Sequence, residues 1–249
     1  MTLEMLLHER CTEISMQERV SKEIINDVFK GLKSIHNLGF VHKDMKPENV
    51  LIFADRQRRK LQAKIADFGF ATRCELTNNQ NKGKKKIKLS PNQLNEFIER
   101  VCDKCGTPGF WAPELVAECV QLEEAFKMDV FSCGVTLYRM LCNEMPFGLF
   151  ESWELKKDNT NNDVNIKPKL AKMKPNFQIV SWMRVKKNNK PKNGSNKHKY
   201  NYIRKLSKQK LTQNAEDLLR GMLRIRPHKR LTIEECLKHK WLKKDNNIH

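Results

Sequence analysis

Apolar side chains recur at helical spacing early in the chain. Val20, Ile24, Ile25, Val28, Phe29, Leu32, Ile35 and Leu38 form one stripe, with polar residues between them. The pattern predicts a helix over 18–38, stopped by Gly39 as a C-terminal cap. It then changes character. Residues 49–53 and 61–66 are short apolar runs flanking the polar stretch Asp55 to Lys60, which reads as two strands around a turn. Residues 126–141 carry Val130, Phe131, Val135, Leu137, Tyr138 and Leu141 with few polar positions, so this helix is expected to be buried on most sides. Further helices are expected at 212–223 and 232–237, the second opening on Thr232-x-x-Glu235, a capping-box pattern. The elements add up to an α+β chain that is mainly α-helical.

Two stretches lose this periodicity. Residues 75–103 gain Asn and Lys, including N-N-Q-N-K-G-K-K-K, and read as a loop that adds a short helix at 92–101. From about 158 to 205 the chain is again Lys- and Asn-rich, with Pro168, Pro175 and Pro191 around one apolar island, Phe177 to Val185. Such composition buries little core.

The charge changes the picture only locally. The chain of 249 residues carries 48 Lys and Arg against 29 Asp and Glu, a formal net charge of +19. Between Glu151 and Lys210 there are 15 Lys and 2 Arg against 2 Glu and 2 Asp, so most of the excess belongs to one segment. That segment suits an anionic partner, nucleic acid or membrane, through counterion release, and Tyr200 and Tyr202 would permit stacking. A solvated charge run is the plainer reading of the same residues. No apolar run reaches membrane-spanning length, and the N-terminus lacks the basic start and long apolar core of a signal peptide. A cytoplasmic or nuclear location is the default expectation. The eight cysteines are scattered, as expected of free thiols rather than a disulfide framework. Cys102-Asp-Lys-Cys105 has the spacing of half a zinc site but lacks a matching second pair.

The chemistry concentrates in V-H-K-D-M-K-P-E-N-V-L-I, Val41 to Ile52, followed by D-F-G at Asp67 to Gly69. Asp44, Lys46 and Asn49 share one short loop, with a second carboxylate, Asp67, at the end of a strand. These groups can hold a hydroxyl nucleophile, a nucleoside triphosphate and a hard cation together. The two motifs resemble the catalytic loop and metal-binding motif of the eukaryotic protein kinases. The resemblance implies a protein serine/threonine kinase catalytic region that transfers the γ-phosphate of Mg·ATP to a Ser or Thr hydroxyl of a protein substrate. ATP and Mg²⁺ are the implied cofactors. It assigns the catalytic base to Asp44, support of the transferring phosphate to Lys46, and Mg²⁺ and nucleotide coordination to Asn49 and Asp67. K-P-E-N points to Ser/Thr rather than Tyr specificity.

Further positions match the family. Thr107 and Ala112-Pro113-Glu114 resemble the end of the activation segment, and Thr107 would hydrogen-bond toward Asp44 and Lys46. Asp129 resembles the buried helix Asp that holds the catalytic-loop backbone. Arg230 resembles the arginine that pairs with Glu114. These three last residues are read as structural, as are His42, a packed residue, Phe68, an anchor, and Gly69, a hinge.

The chain also departs from the family. Lys43 stands where many kinases carry an Arg that pairs bidentately with an activation-loop phosphate, and Lys is only a point charge. Weaker dependence on loop phosphorylation is expected. The segment Asp67 to Glu114 is long, and its basic stretch Lys82 to Lys88 reads as a solvated insertion or a docking element. No glycine-rich phosphate loop and no V-A-I-K lysine precede the catalytic loop. Residues 1–249 are therefore expected to be a partial kinase domain, the large lobe only, with the small lobe missing and insertions at about 76–103 and about 158–206. The competing expectation is a pseudokinase-like interaction module or gene fragment that binds partners through the lobe and its basic insertion.

Overall fold

The structure, a computed structural model, describes residues 1–10, 16–55, 60–74, 99–103, 105–116, 120–121, 124–147 and 211–243. The Lys/Asn-rich insertion at 158–206, most of that at 76–103, and the Phe177 to Val185 island lie outside them. The chain opens with helix α1 (Leu3–Arg10), whose Leu3, Leu6 and Leu7 are buried. Helix α2 (Glu18–Asn37) buries Ile24, Ile25, Val28, Phe29 and Leu32 along the expected stripe. It ends one residue earlier than the pattern suggests. Leu38 lies past the helix and is 64% exposed. The spiral breaks where Gly39 takes φ of 80°, so the position after Asn37 no longer falls on the buried face.

Gly39 turns the chain into β1 (Phe40–Val41), which pairs antiparallel with β4 (Thr72–Arg73). A 3-10 turn at Pro47–Asn49 leads into β2 (Val50–Asp55), and β2 pairs antiparallel with β3 (Lys60–Ile65), Val50 opposite Ile65 and Asp55 opposite Lys60. The hairpin matches the two apolar runs to within two residues at each end. Thr2 adds a bridge to Leu51, which ties the N-terminus to the same sheet.

After β4, residues 99–102 are helical, continuing one residue past the helix expected at 92–101, whose first part lies outside the described residues. A 3-10 turn (Pro108–Phe110) and the short α3 (Pro113–Val116) follow. Helix α4 (Phe126–Cys142) is buried without a break from Met128 to Tyr138. Such a helix must satisfy its polar side chains internally. Thr136 Oγ1 donates to the Ser132 carbonyl at 3.0 Å, and Ser132 Oγ donates to the Phe110 carbonyl at 2.7 Å.

Helix α5 (Gln213–Met222) is N-capped by Thr212, whose Oγ1 accepts from Ala215 N at 3.2 Å. Helix α6 (Ile233–Lys238) starts on the capping box legible in the sequence: Thr232 Oγ1 accepts from Glu235 N at 3.2 Å, and Glu235 Oε2 accepts from Thr232 N at 2.7 Å. The core gathers the buried faces of α2, α4, α5 and α6 with Trp241. Glu18 at the start of α2 accepts from both Thr212 and Trp241 and fastens α2 to the C-terminal helices. The described residues are mainly helical, and none of their helices is long and apolar enough to cross a membrane.

Candidate active site

The loop after β1 is built on a carboxylate from the buried helix. Asp129 of α4 accepts from His42 N at 2.8 Å and from Lys43 N at 2.9 Å, and also contacts His36 Nε2 at 2.9 Å. Three donors around a fully buried carboxylate remove the cost of its burial and fix the loop's main chain. Lys43 sits at φ of 69°, a left-handed conformation costing about 1–2 kcal/mol for a residue other than glycine. The two bonds from Asp129 hold the backbone in that shape.

His42 passes the constraint on. Its Nδ1 accepts from Asp44 N at 3.3 Å, so its Nε2 carries the hydrogen and donates to the Ala66 carbonyl at 3.2 Å. Its ring meets the Phe68 ring edge-on at 5.2 Å. The loop of Asp44 and the strand end leading to Asp67 are thereby joined. Ala66 N also donates to the Asn49 carbonyl at 2.9 Å, continuing the β2–β3 register toward Asp67.

Asp44 is 3% exposed and fully engaged. Its Oδ1 accepts from Thr107 N at 3.0 Å and Thr107 Oγ1 at 3.1 Å. Its Oδ2 meets Lys46 Nζ at 2.8 Å and accepts from Asn49 Nδ2 at 2.9 Å. Lys46 Nζ donates to Thr107 Oγ1 at 2.7 Å, which closes a ring of three side chains. Asn49 Nδ2 donates also to the Asp44 carbonyl. Both amide hydrogens thus face Asp44, and the amide oxygen is the polar atom that remains to ligate a cation. Gly106 takes φ of 84°, and a Cβ there would lie 2.8 Å from the Lys43 carbonyl oxygen and 3.0 Å from Asp44 Oδ1. No side chain fits between this segment and the loop that carries Asp44.

Asp67 differs. It is exposed, holds φ of 59°, and its Oδ1 accepts from Gly69 N at 3.1 Å. Phe68 is also largely exposed, apart from its contact with His42. Asp67 and the Asn49 amide oxygen are hard oxygen donors of the kind Mg²⁺ takes together with water and phosphate oxygens. Among the described residues no cluster of three His, Cys, Asp or Glu side chains forms a self-sufficient metal site, around Cys102 and Cys105 included.

Glu114 and Arg230 lie apart from this network. Arg230 Nη1 and Nη2 donate to the two Glu114 oxygens at 2.6 and 2.8 Å, and the remaining donors reach the carbonyls of Arg224, Lys127 and Ile225. Among the described residues, two contacts near the site have no counterpart in the sequence reading. His36 reaches Asp129 from α2, where its one signal is a polar residue on the buried side of the stripe. Lys43 Nζ donates to the Arg100 carbonyl at 2.7 Å. Nearby, burial pushes the Cys74 thiol up to about 12, with the Asp129 charge adding to the effect.

The family model described as "protein kinase domain" matches residues 1–242. A probable serine/threonine-protein kinase of Dictyostelium discoideum, fhkB, is 29% identical over 244 residues, covering 98% of this chain and 16% of that protein. A second from the same organism, fhkD, is 26% identical over 237 residues, covering 92% of this chain and 24% of that protein. The serine/threonine-protein kinase ELM1 of Saccharomyces cerevisiae is 36% identical over 132 residues, covering 51% of this chain and 19% of that protein. The chain therefore spans a quarter or less of the length of each of these relatives.

Proposed function

Because the chain belongs to the protein kinase family, we propose that it is the catalytic region of a protein serine/threonine kinase that moves the γ-phosphate of Mg·ATP to a Ser or Thr hydroxyl. The observation that carries this reading is the ring around Asp44, in which one buried carboxylate, Lys46 and Thr107 meet within hydrogen-bond distance. Serine/threonine kinase relatives from two organisms support the substrate class.

Each residue then has a role that its surroundings suit. Asp44, held by four donors, orients the incoming hydroxyl and takes its proton late in the transfer. Lys46 supplies positive charge beside the hydroxyl, where the transferring group accumulates negative charge. Thr107 fixes the Lys46 ammonium and one Asp44 oxygen at once. Asn49 and Asp67 would hold Mg²⁺, which would supply positive charge against the phosphate oxygens. Asp129, His36 and His42 hold the loop that carries Asp44.

The test is label transfer from ATP labelled at the γ-phosphate, using the full-length protein, Mg²⁺ and a mixture of Ser-, Thr- and Tyr-containing peptides. The expected result is Mg²⁺-dependent label on Ser and Thr that Asp44→Asn removes. Label confined to Tyr would overturn the substrate class. Full label transfer by the Asp44→Asn protein would overturn the assignment of the base.

A further inference from the structure

The turn between α5 and α6 is held from beneath by two cations. Buried Arg230 donates to the carbonyls of Arg224 and Ile225 as well as to Glu114. Lys127, at the start of α4, donates to the carbonyls of Pro227 and Arg230 at 3.0 and 2.9 Å. Lys229 N and Arg230 N donate to the carbonyls of Arg226 and Pro227. The main-chain acceptors of residues 224–227 are therefore all engaged, and the turn is held in one shape. What it leaves to solvent is basic. Arg224, Arg226, His228 and Lys229 are exposed, and among the described residues their side chains enter no ion pair. Exposed cations elsewhere differ: Arg19 lies beside Glu23, Lys30 beside Asp27, Arg220 beside Glu216 and Lys240 beside Asp217. Arg224, Arg226 and Lys229 thus stand above two further cations, Lys127 and Arg230, of which Glu114 pairs with one. Gathered positive charge of this kind favours an anionic partner.

The size and place of the patch select the partner. Affinity for nucleic acid grows with the number of phosphates met along the strand, and this patch spans only residues 224–229. Its apolar members, Ile225 and Pro227, are half-buried, so it presents no exposed apolar residue to enter a bilayer. A short run of carboxylates on a peptide matches it. The patch also adjoins the segment that carries Thr107. Arg230 grips Glu114, which lies seven positions after Thr107, the residue bonded to Asp44. Seven residues of extended chain reach at most about 25 Å. A protein whose hydroxyl meets Asp44 can lay a segment roughly ten residues away across this turn.

We propose that Arg224, Arg226 and Lys229 form a docking surface for an acidic segment of the protein substrate, separate from the residue that receives phosphate. Its part in substrate choice rests on the kinase reading above; its binding of an acidic peptide does not. The test uses the full-length protein and two peptides of equal length. Both carry Ser and Thr acceptors and a flexible Gly/Ser spacer of roughly ten residues. One ends in a run of Glu, the other in a run of Gln. The KM for the Glu peptide should be about tenfold lower, the factor three exposed charge pairs support. The triple variant Arg224→Gln, Arg226→Gln, Lys229→Gln should raise that KM to the value for the Gln peptide. A second readout needs no catalysis. Fluorescence anisotropy of a labelled Glu run without an acceptor should show binding that weakens about tenfold in the triple variant and weakens further with added salt.

Equal KM for the two peptides in the wild-type protein, or binding of the Glu run that the triple variant does not weaken, would overturn the proposal. So would tighter binding, through the same three residues, of single-stranded RNA or phosphatidylserine vesicles than of the Glu run. If the triple variant fails to fold, Arg226→Gln alone should weaken binding about twofold, and no change there would overturn the proposal equally. A protein that transfers no phosphate yet binds the Glu run through these residues would keep the docking surface and remove the kinase reading instead.

Discussion

Glu114 and Asp44 are almost equally sealed from solvent, at 4% and 3% exposure, and each meets a cation, but the two pairs are held in different ways. Arg230 is itself buried, and its five N–H donors find five acceptors: the two Glu114 oxygens and three main-chain carbonyls. The Phe131 ring lies 5.0 Å from its guanidinium carbon. Nothing in that cluster can turn away. Lys46, the cation of the other pair, keeps 19% of its side chain exposed and can swing to water. Asp44 is bound by a main-chain amide, a hydroxyl, a side-chain amide and the lysine, all on loops. A buried pair closed on every side stabilises a fold, because removing one partner strands the other. A buried carboxylate ringed by donors and bordered by a cation at the surface is arranged for a group that arrives from outside.

If this division is right, the two clusters should respond oppositely to substitution. Asp44→Asn should lower phosphotransfer by about 10²–10⁴-fold, the range for loss of a positioned acid or base. Its melting should stay near wild type, since Lys46 can be solvated. Arg230→Met should destabilise the fold by about 3–5 kcal/mol, because Glu114 is left charged and buried. Denaturant or thermal melting would read this, while turnover per folded molecule should be nearly unchanged. Thr107→Val should be milder. It removes the hydroxyl between Lys46 and Asp44, a loss of about 1–1.5 kcal/mol read as roughly tenfold in turnover, and Thr107→Ser should recover it. The smallest effect is on Cys74. With its thiol pushed up to about 12, it holds almost no thiolate at pH 8. Iodoacetamide should modify the partly exposed Cys102 and Cys105 well before Cys74, with mass spectrometry of peptides as the readout. Early alkylation of Cys74 would show that the loop around Asp129 opens more readily than the structure implies.

The same contrast governs what the sequence reveals. The stripe of α2, the apolar run of α4 and the Thr232 capping box are local patterns, and local periodicity reports them directly. Asp44, Lys46, Asn49 and Asp67 were legible because their spacing along the chain is itself the motif. The paired strands β1 and β4 have two residues each, too few for any alternation, and join positions far apart in the chain. Leu38 matches the stripe in spacing but lies beyond the residue where the helix breaks. The bond from Lys43 to the Arg100 carbonyl has no sequence signature, since its acceptor is main chain. Side chains that meet through repeating patterns can be read from sequence, and those that meet main-chain atoms across a fold cannot.

The most direct measurement is a calorimetric scan of the full-length protein as wild type, Asp44→Asn and Arg230→Met, with label transfer assayed on each sample. For a chain of this size each 1 kcal/mol moves the melting point by roughly 2–4 °C. The account predicts that Asp44→Asn melts close to wild type and transfers almost no phosphate, whereas Arg230→Met melts on the order of 10 °C lower and still transfers it below its melting point. An Asp44→Asn protein that melts with Arg230→Met, or that turns over like wild type, would contradict it.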